Sequence, residues 1–239
     1  MTFYLRQKEL IMANGRKDIF TKNMVVGTEL ELINTLFIII RKYYYKWRKS
    51  YMINNSKTKT FFISDVHFGD KGQLYLQKRP FKDTEEMDTA IINNWNRKVS
   101  RCDHVWIIGD LISHAHHSFY HYLRQLNGQK HLIIGNHDYD LIRDKKALSY
   151  FVSVDEYRTI RYMDKKIVLS HYPLAEWNGY YRGVYHIYGH IHGYDTLSSK
   201  YMMNLERAYN AGCMLNNFEP VTFEELLLNN KIWKETILE

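Results

Sequence analysis

The chain has 239 residues, of which 45% are hydrophobic and 15% aromatic, and this composition is sufficient to bury a full core in one domain plus an appendage. Its two cysteines, Cys102 and Cys213, exclude a disulfide framework and a thiolate zinc site, and they favour a reducing, cytoplasmic compartment. Three prolines and no low-complexity tract argue against long disordered linkers.

The net charge of +7 is concentrated near the N-terminus. Residues 1–57 contain 11 Lys and Arg against 4 Asp and Glu, whereas residues 58–239 contain 22 of each kind and all 12 histidines. This contrast predicts two parts: a basic, helical N-terminal extension over residues 1–57, and a neutral, histidine-rich domain over residues 58–239.

The extension shows no signal-peptide pattern, and its apolar run at 32–40 is shorter than the ~20 residues that a membrane helix needs. Apolar residues at helical spacing over 33–47 predict an amphipathic helix, followed by basic and aromatic residues. One interpretation is peripheral contact of residues 30–50 with an anionic surface, lipid or nucleic acid. Another is a helix packed on the domain or on a partner subunit. A third is that translation starts at Met52 and residues 1–51 add little.

The second part alternates between apolar runs typical of buried strands and segments typical of helices. Strands are predicted at 59–64, 104–110, 130–138, 166–173 and 184–193, and helices at 83–98 and 119–127. This alternation predicts a layered α/β architecture.

All five predicted strands end in His, Asp or Asn. Loops beyond the carboxyl ends of strands are where α/β sheets bind ligands, so these residues are candidates for one shared site. The candidates are Asp65, His67, Asp110, Asn136, His171, His190 and His192. Oxygen and nitrogen donors without cysteine favour a metal site, and their number exceeds the roughly six positions of one divalent cation. Two cations that share a bridging carboxylate would use them all. The competing interpretation is a set of unrelated turn residues and strand-edge histidines.

The spacing of these candidates supports a metal site. Asp65 and His67, like His190 and His192, stand two positions apart, so each pair would project to one side of a continuing strand. Glycine precedes Asp110 and two further candidates, which would let the backbone turn sharply beside a metal.

The ordered set D-x-H, G-D, G-N-H-D, a lone His and G-H-x-H spans residues 65–192 and resembles the calcineurin-like metallophosphoesterase superfamily. The similarity runs from about residue 58 to the end and is greatest to small, stand-alone prokaryotic members. It implies an α/β fold in which two mixed β-sheets pack as a sandwich with flanking helices, four layers in all. It also implies that the metals lie at the strand ends of one edge.

The same resemblance implies a role for each candidate. The ligands would be Asp65, His67 and His192 for the first cation, Asn136, His171 and His190 for the second, and Asp110 as the bridge. His137 would contact the phosphate and assist the leaving group without binding metal. Asp110 and His137 are therefore the predicted catalytic residues.

The chemistry of such a site is phosphoester hydrolysis. Two divalent cations neutralise phosphate oxygens and lower the pKa of bound water toward ~7, and hydroxide held between them attacks phosphorus in line. Imidazole and carboxylate ligands suit Mn²⁺, Fe²⁺ or Zn²⁺. Family analogy favours a phosphodiesterase acting on a small or nucleotide-like phosphorylated substrate. The alternatives are a phosphomonoesterase and a catalytically silent binding module of the same fold. The neutral domain does not favour long nucleic acid as substrate.

One position departs from the phosphoprotein phosphatases of this superfamily. They have the motif G-D-x-x-D-R-G, and Ser113 stands where their second Asp would orient the catalytic histidine. This argues against a protein phosphatase and leaves open what orients His137. Asp138 is a candidate for that role and equally for the N-cap of a following helix.

The remaining polar residues divide into substrate candidates and structural ones. His114 follows the Asp110 loop and is a candidate to line the substrate entrance or, alternatively, part of an exposed polar helix start. Arg79 and Arg182 are candidate phosphate contacts or ordinary surface residues. His131 is expected to be structural or solvated. His186 is expected in a packed interior or on a sheet face.

Overall fold

A computed structural model describes residues 58–237 and Arg41. The chain from Thr58 onward forms one compact unit. Apart from Arg41, the predicted amphipathic helix and Met52 lie outside the described residues, so the extension and its surface contacts stay predictions. Among the helices that the structure describes, none combines the length and apolar content that crossing a bilayer requires.

The first sheet has four parallel strands in the order β1-β2-β3-β4. The strands are β1 (Thr60–Ile63), β2 (His104–Ile108), β3 (Gln129–Ile133) and β4 (Phe151–Asp155). The helices between them are α1 (Lys71–Leu76), α2 (Thr84–Lys98), α3 (Phe119–Leu123), α4 (Tyr139–Arg143) and α5 (Lys145–Leu148). Parallel neighbours need such crossover connections.

The second sheet also has four strands, in the order β5-β6-β7-β8. They are β5 (Tyr157–Tyr162), β6 (Lys165–Ser170), β7 (Tyr185–Tyr188) and β8 (Ala208–Asn210), with helices α6 (Leu197–Met203) and α7 (Phe223–Ile237). β5 is antiparallel to β6 and the other pairs are parallel. The predicted pair of sheets is therefore confirmed. Only the second is mixed, because the four strands of the first all run in one direction.

Alternating side chains distribute the core over three interfaces between four layers. Phe61 of β1 belongs to a core that includes the apolar face of α2, whereas its neighbour Phe62 lies in the core between the two sheets. Beyond the second sheet, Val168 and Tyr188 pack with Met202 of α6. This order of helix, sheet, sheet and helix is the predicted four-layer sandwich.

The helix α2 illustrates how local signals position these layers. Asp83 caps its N-terminus, where the carboxylate accepts a hydrogen bond from the backbone N–H of Glu86 at 2.8 Å. Acidic residues in its first turn and basic residues in its last complement the helix dipole. The predicted helix at 83–98 is confirmed.

Candidate metal centre

The loops that follow β1, β2, β3, β6 and β7 converge on one edge of the sandwich and bring all seven predicted ligands together. Five of these ligands lie in the left-handed region, with φ of 55° at Asp65, 53° at His67, 55° at Asp110, 70° at His190 and 49° at His192. Non-glycine residues adopt this conformation only where the surroundings enforce it, and such strain is common at active sites.

This backbone geometry corrects one expectation about the paired residues. β1 ends at Ile63 and β7 ends at Tyr188, so neither pair continues a strand. The left-handed residues, rather than strand alternation, aim the side chains toward the site. As a result, His190 and His192 belong to two different groups of donor atoms.

The first group contains Asp65, His67 and His192, which can each place a donor atom within 4.8 Å of the others. The rings of His67 and His192 stack with centroids 5.3 Å apart, and His192 Nε2 lies 3.8 Å from Asp65 Oδ1. His67 is fully buried, yet its Nε2 has no hydrogen-bond partner. A buried polar atom is rarely left unpaired, and this nitrogen fits a metal ion as its partner.

The second group contains Asn136, His171 and His190. Asn136 Oδ1 lies 3.0 Å from His171 Nε2 and 2.9 Å from His190 Nδ1. His171 Nδ1 lies 2.8 Å from the carbonyl oxygen of Ile108 and donates to it, so in neutral His171 the Nε2 presents a lone pair. That lone pair faces oxygen acceptors, an arrangement that a proton or a cation would relieve.

A single oxygen of Asp110 lies between the two groups. Asp110 Oδ2 is 3.6 Å from His67 Nε2 and 3.4 Å from His171 Nε2. The other carboxylate oxygen, Oδ1, accepts a hydrogen bond from the backbone N–H of His137 at 2.9 Å. Asp110 is therefore suited to bridge the two groups, and Asp65, which also lies within 4.8 Å of donor atoms of Asp110 and His171, stands beside it.

Two glycines make this close approach sterically feasible. At Gly109 φ is 84°, and a Cβ there would stand 2.3 Å from His171 Nδ1. A Cβ at Gly189 would stand 1.9 Å from Ser64 Oγ and 2.7 Å from Asp65 Oδ2. Any side chain at either position would therefore displace a neighbour of the site.

The electrostatics around Asp110 favour positive charge at His171, whereas burial lowers the pKa of His67, His190 and His192. Burial lowers the pKa of His171, but its hydrogen bond to Asp110 and the nearby carboxylates outweigh burial and raise the pKa to about 9. Burial raises the pKa of Asp110, but His171 and His67 outweigh it and lower the pKa to about 2. Residues that stabilise a positive charge beside an ionised carboxylate are suited to bind a divalent cation.

Two charged residues that support these loops were given other roles by sequence reasoning. Arg79 is only 4% exposed, and its guanidinium donates to the carbonyl oxygens of Asp65 at 2.9 Å and Val66 at 2.7 Å. Arg79 therefore supports the loop after β1. A candidate phosphate contact in the sequence is thus a buried support, and no local pattern distinguishes the two roles.

Asp138 occupies the predicted N-cap position of α4, but its side chain makes no capping hydrogen bond. Its buried carboxylate accepts from the backbone N–H groups of Gly135 and Asp110, both at 2.8 Å, and of Leu111 at 3.1 Å. It therefore joins the loop after β3 to the loop after β2. The first turn of α4 is closed by a backbone hydrogen bond from the N–H of Ile142 to the carbonyl oxygen of Asp138, rather than by the Asp138 side chain.

His137, the predicted catalytic histidine, and His114, the predicted entrance residue, line one cleft beside the predicted metal ligands. His137 and His114 both line this cleft, whose volume is about 390 Å³, and their ring centroids are 5.9 Å apart. The His137 ring also meets the His67 ring edge-on at 5.1 Å. The half-buried His137 thus lies between the ligand groups and the opening.

Arg182 is the one predicted site residue that the structure does not bring to this edge. It lines a different cleft with Lys165 and Tyr185, the residues that begin β6 and β7. The predicted ligands His171, His190 and His192 follow the opposite, carboxyl ends of those strands. Arg182 therefore lies at the other end of the second sheet.

The donors present fit divalent cations of the manganese, iron or zinc type. They comprise two carboxylates, an amide oxygen and four imidazoles, with no thiolate among them. The unpaired Nε2 of His67 and the mutually facing acceptors around His171 each fit a cation as partner. Occupancy and the number of ions stay predictions.

Comparison with known proteins identifies the family that this fold and site define. Residues 59–218 match the model of the calcineurin-like phosphoesterase superfamily domain. The chain belongs to this superfamily, as the sequence motifs predicted.

Individual proteins are also similar to this chain. An uncharacterised protein of Methanocaldococcus jannaschii is 29% identical over 71% of this chain and 89% of its own length. A crystal structure of a protein of unknown function from Aquifex aeolicus is 26% identical, covers 71% of this chain and 97% of that chain, and has a TM-score of 0.57. A symmetrical bis(5'-nucleosyl)-tetraphosphatase of Buchnera aphidicola is 27% identical, over 50% of this chain and 46% of that enzyme.

Proposed function

We propose that this protein is a phosphoester hydrolase that works with two divalent cations on a small, nucleotide-like phosphodiester. The observation that carries the proposal is the position of Asp110 Oδ2, which lies 3.6 Å and 3.4 Å from the Nε2 atoms of His67 and His171. Each of these histidines belongs to a separate donor group. Two groups that share one carboxylate oxygen match a pair of cations better than a single ion.

Bound cations would neutralise the phosphate oxygens and lower the pKa of water at the site toward ~7. The chain's own residues arrange this chemistry. Asp110 shares its charge between the two groups while the His137 N–H holds its second oxygen at 2.9 Å. The backbone N–H of His190 donates to both carboxylate oxygens of Asp65, at 3.0 and 3.1 Å, and so orients that ligand.

His137 is the residue placed to act on the leaving group. Its ring lines the cleft and touches His67 edge-on at a centroid distance of 5.1 Å. An imidazole at the boundary between ligands and substrate space can donate a proton or hydrogen bond to a departing oxygen.

The cleft itself favours a small substrate over a polymer. Its volume of about 390 Å³ lies within the ~300–1,000 Å³ typical of small-molecule sites. The described residues that line it include Asp140 and Asp144, and none is Lys or Arg. A groove for long nucleic acid would need basic residues along its walls.

The choice between diester and monoester depends on family analogy, and a phosphomonoesterase is the alternative. The Buchnera tetraphosphatase adds dinucleoside polyphosphates to the substrates worth testing. A catalytically silent module is a weaker candidate, because all seven predicted ligands and His137 are present and grouped at one edge.

The decisive experiment measures metal content and turnover together. Full-length protein is treated with chelator, dialysed against Mn²⁺ and assayed with bis-p-nitrophenyl phosphate, p-nitrophenyl phosphate, cyclic nucleotides and diadenosine tetraphosphate. We expect about two Mn²⁺ per chain and faster turnover of the diester than of the monoester. Metal binding without turnover of any substrate would contradict the enzymatic proposal, and absence of metal binding would contradict both parts.

A further inference from the structure

Ser113 connects the ligand candidate His67 to the carboxylate of Asp70. Its Oγ lies 2.9 Å from His67 Nδ1 and donates to Asp70 Oδ2 at 2.7 Å. The three residues are 6%, 0% and 4% exposed for Ser113, His67 and Asp70. They come from the loops after β1 and β2 and form a continuous chain of hydrogen bonds shielded from water.

The direction of this chain is determined at the Asp70 end. Asp70 is the N-cap of α1, and its Oδ1 accepts from the backbone N–H of Gln73 at 3.1 Å. An ionised carboxylate only accepts hydrogen bonds, so Ser113 must donate its hydroxyl proton to Oδ2. The Ser113 oxygen then accepts from His67, which carries its proton on Nδ1. The Nε2 of His67 is left with a free lone pair.

Other contacts of the His67 ring do not select this tautomer. The ring stacks on His192 at 5.3 Å and meets His137 edge-on at 5.1 Å. Such ring contacts differ little if the ring turns over and exchanges its nitrogens. The hydrogen bond to Ser113 distinguishes Nδ1 from Nε2, because the nearby carboxylate oxygens, Asp70 Oδ2 at 3.8 Å from Nδ1 and Asp110 Oδ2 at 3.6 Å from Nε2, lie beyond hydrogen-bond distance.

We propose that Asp70 and Ser113 are positioning residues that set the tautomer and orientation of His67 for cation binding. The inference rests on the proposed metal centre. The free lone pair is on the same Nε2 atom that is buried, unpaired and 3.6 Å from the bridging Asp110 oxygen. Partners of this kind on metal-binding histidines typically contribute about 10–100-fold to metal affinity.

The inference also gives Ser113 a role that its alignment with protein phosphatases did not predict. There the equivalent Asp would orient the catalytic histidine. Here Ser113 contacts the ligand candidate His67 instead of His137. The position is retained as an orienting one but acts on a different ring.

Asp70→Asn tests the direction of the chain. Asn keeps the N-cap, because its Oδ1 still accepts from Gln73, but it places an NH₂ group where Oδ2 was. That group donates to Ser113, which then donates to His67 Nδ1 and moves the histidine proton to Nε2. We expect Mn²⁺ affinity at the first site to fall about 10–100-fold by isothermal titration calorimetry. Ser113→Ala removes the hydrogen-bond partner of His67 Nδ1 without reversing its direction. In this variant Mn²⁺ affinity should fall less, by roughly 10-fold.

Asp83→Asn is the matched control. Asp83 also caps a helix through its side chain, but its cap is exposed and its carboxylate accepts from the backbone of Glu86 in its own helix, with no hydrogen bond to a ligand candidate among the described residues. This variant should bind two Mn²⁺ with wild-type affinity. Histidine-selective ¹⁵N NMR of metal-free protein adds a readout that mere stability would not change. His67 should be protonated on Nδ1 in the wild type and on Nε2 in Asp70→Asn.

The outcomes separate this inference from the function on which it rests. Wild-type protein that binds no Mn²⁺ contradicts the metal centre itself. Wild-type protein that binds two Mn²⁺, with unchanged affinity in Asp70→Asn and Ser113→Ala, contradicts the positioning role alone. If Asp70→Asn does not fold, Ser113→Ala decides, since it leaves the cap of α1 intact.

Discussion

Two buried histidines, His186 in the core beyond the second sheet and His67 at the sheet edge, differ in how their nitrogens are satisfied. His186 Nε2 accepts from the backbone N–H of Leu174 at 3.2 Å, and its Nδ1 donates to the carbonyl oxygen of Val168 at 3.2 Å. His67 satisfies Nδ1 through Ser113 and leaves Nε2 unpaired.

The difference shows how a structural histidine can be distinguished from a ligand. Both side chains are fully buried, so burial alone does not separate them. His186 is complete as a neutral imidazole within the protein, whereas His67 is complete only with an additional partner. Between these two histidines, the unpaired nitrogen of His67 and its position beside Asp110, rather than residue type or burial, indicate the ligand candidate.

The largest expected effect comes from removing the bridge between the two ligand groups. Asp110→Asn takes away the charge that both groups share, so we expect metal affinity and turnover each to fall by more than ~100-fold, beyond the usual effect of an indirect partner. Metal titration and bis-p-nitrophenyl phosphate assays measure the two quantities. Wild-type metal affinity in this variant would show that Asp110 does not bridge.

The next variant separates catalysis from metal binding. His137→Ala should reduce turnover by ~10²–10⁴-fold, the usual contribution of a general acid, while two Mn²⁺ still bind. Near-normal rates would mean that another group assists the leaving oxygen. Loss of metal would mean that His137 is itself a ligand. The variant tests this alternative, because His137 can place a donor atom within 4.8 Å of those of His67 and Asp110.

Removing the core histidine His186 should reduce stability and leave metal affinity unchanged. His186→Ala leaves a cavity and two unpaired backbone groups, so the free energy of unfolding should fall by about 2–5 kcal/mol. Metal affinity of the folded protein should stay unchanged. Urea unfolding and metal titration of this variant, beside His67→Ala, check whether the two histidines play the separate roles that their contacts indicate.

Acid should reveal a second core histidine, His131, which lies between the sheets. Its nitrogens contact His104 Nδ1 and Ser153 Oγ, both at 2.9 Å, and burial with the neighbouring His104 lowers its pKa to about 4. Because the folded-state pKa lies below the unfolded value of ~6.5, the stabilisation is complete above pH 6.5 and is lost as the pH falls toward 4.

The expected loss for His131 is on the order of 3 kcal/mol between pH 7 and pH 4. Urea unfolding of chelator-treated wild type and His131→Gln over this range isolates it, because all other titrating groups are common to both proteins. A wild-type curve no steeper than that of His131→Gln would contradict the lowered pKa.

The smallest effect is expected at the rim of the cleft. His114→Ala should raise KM by up to ~10-fold with little change in kcat, as loss of an exposed substrate contact would. His116→Ala is the control, since His116 is equally exposed but is not among the described residues that line the cleft. Equal kinetic effects of the two variants would remove His114 from the substrate path.

Much of the fold could be read from strands with continuous apolar runs. Strands β1, β2, β3, β6 and β7 are buried on both faces, and each was predicted close to its observed start. The strands that were missed are β4 (Phe151–Asp155), β5 (Tyr157–Tyr162) and β8 (Ala208–Asn210). β4 is mostly half-buried and β5 largely exposed, neither has a long apolar run, and β8 has only three residues. Pairing with neighbours rather than local sequence therefore defines these strands.

The site shows the same division. The ligand candidates were identifiable because each follows an apolar run in an ordered motif. The supports Arg79, Asp138 and Asp70 were not, because each acts on a loop or side chain that only the fold brings near it. Asp138, for example, reaches the N–H groups of residues 27 and 28 positions earlier in the chain.

A direct test of the account is anomalous diffraction from crystals of the full-length protein grown with Mn²⁺. We predict two peaks at the sheet edge: one among Asp65, His67 and His192, the other among Asn136, His171 and His190, with Asp110 between them. A single peak, or peaks away from these residues, would contradict the proposal that this family member holds a pair of cations.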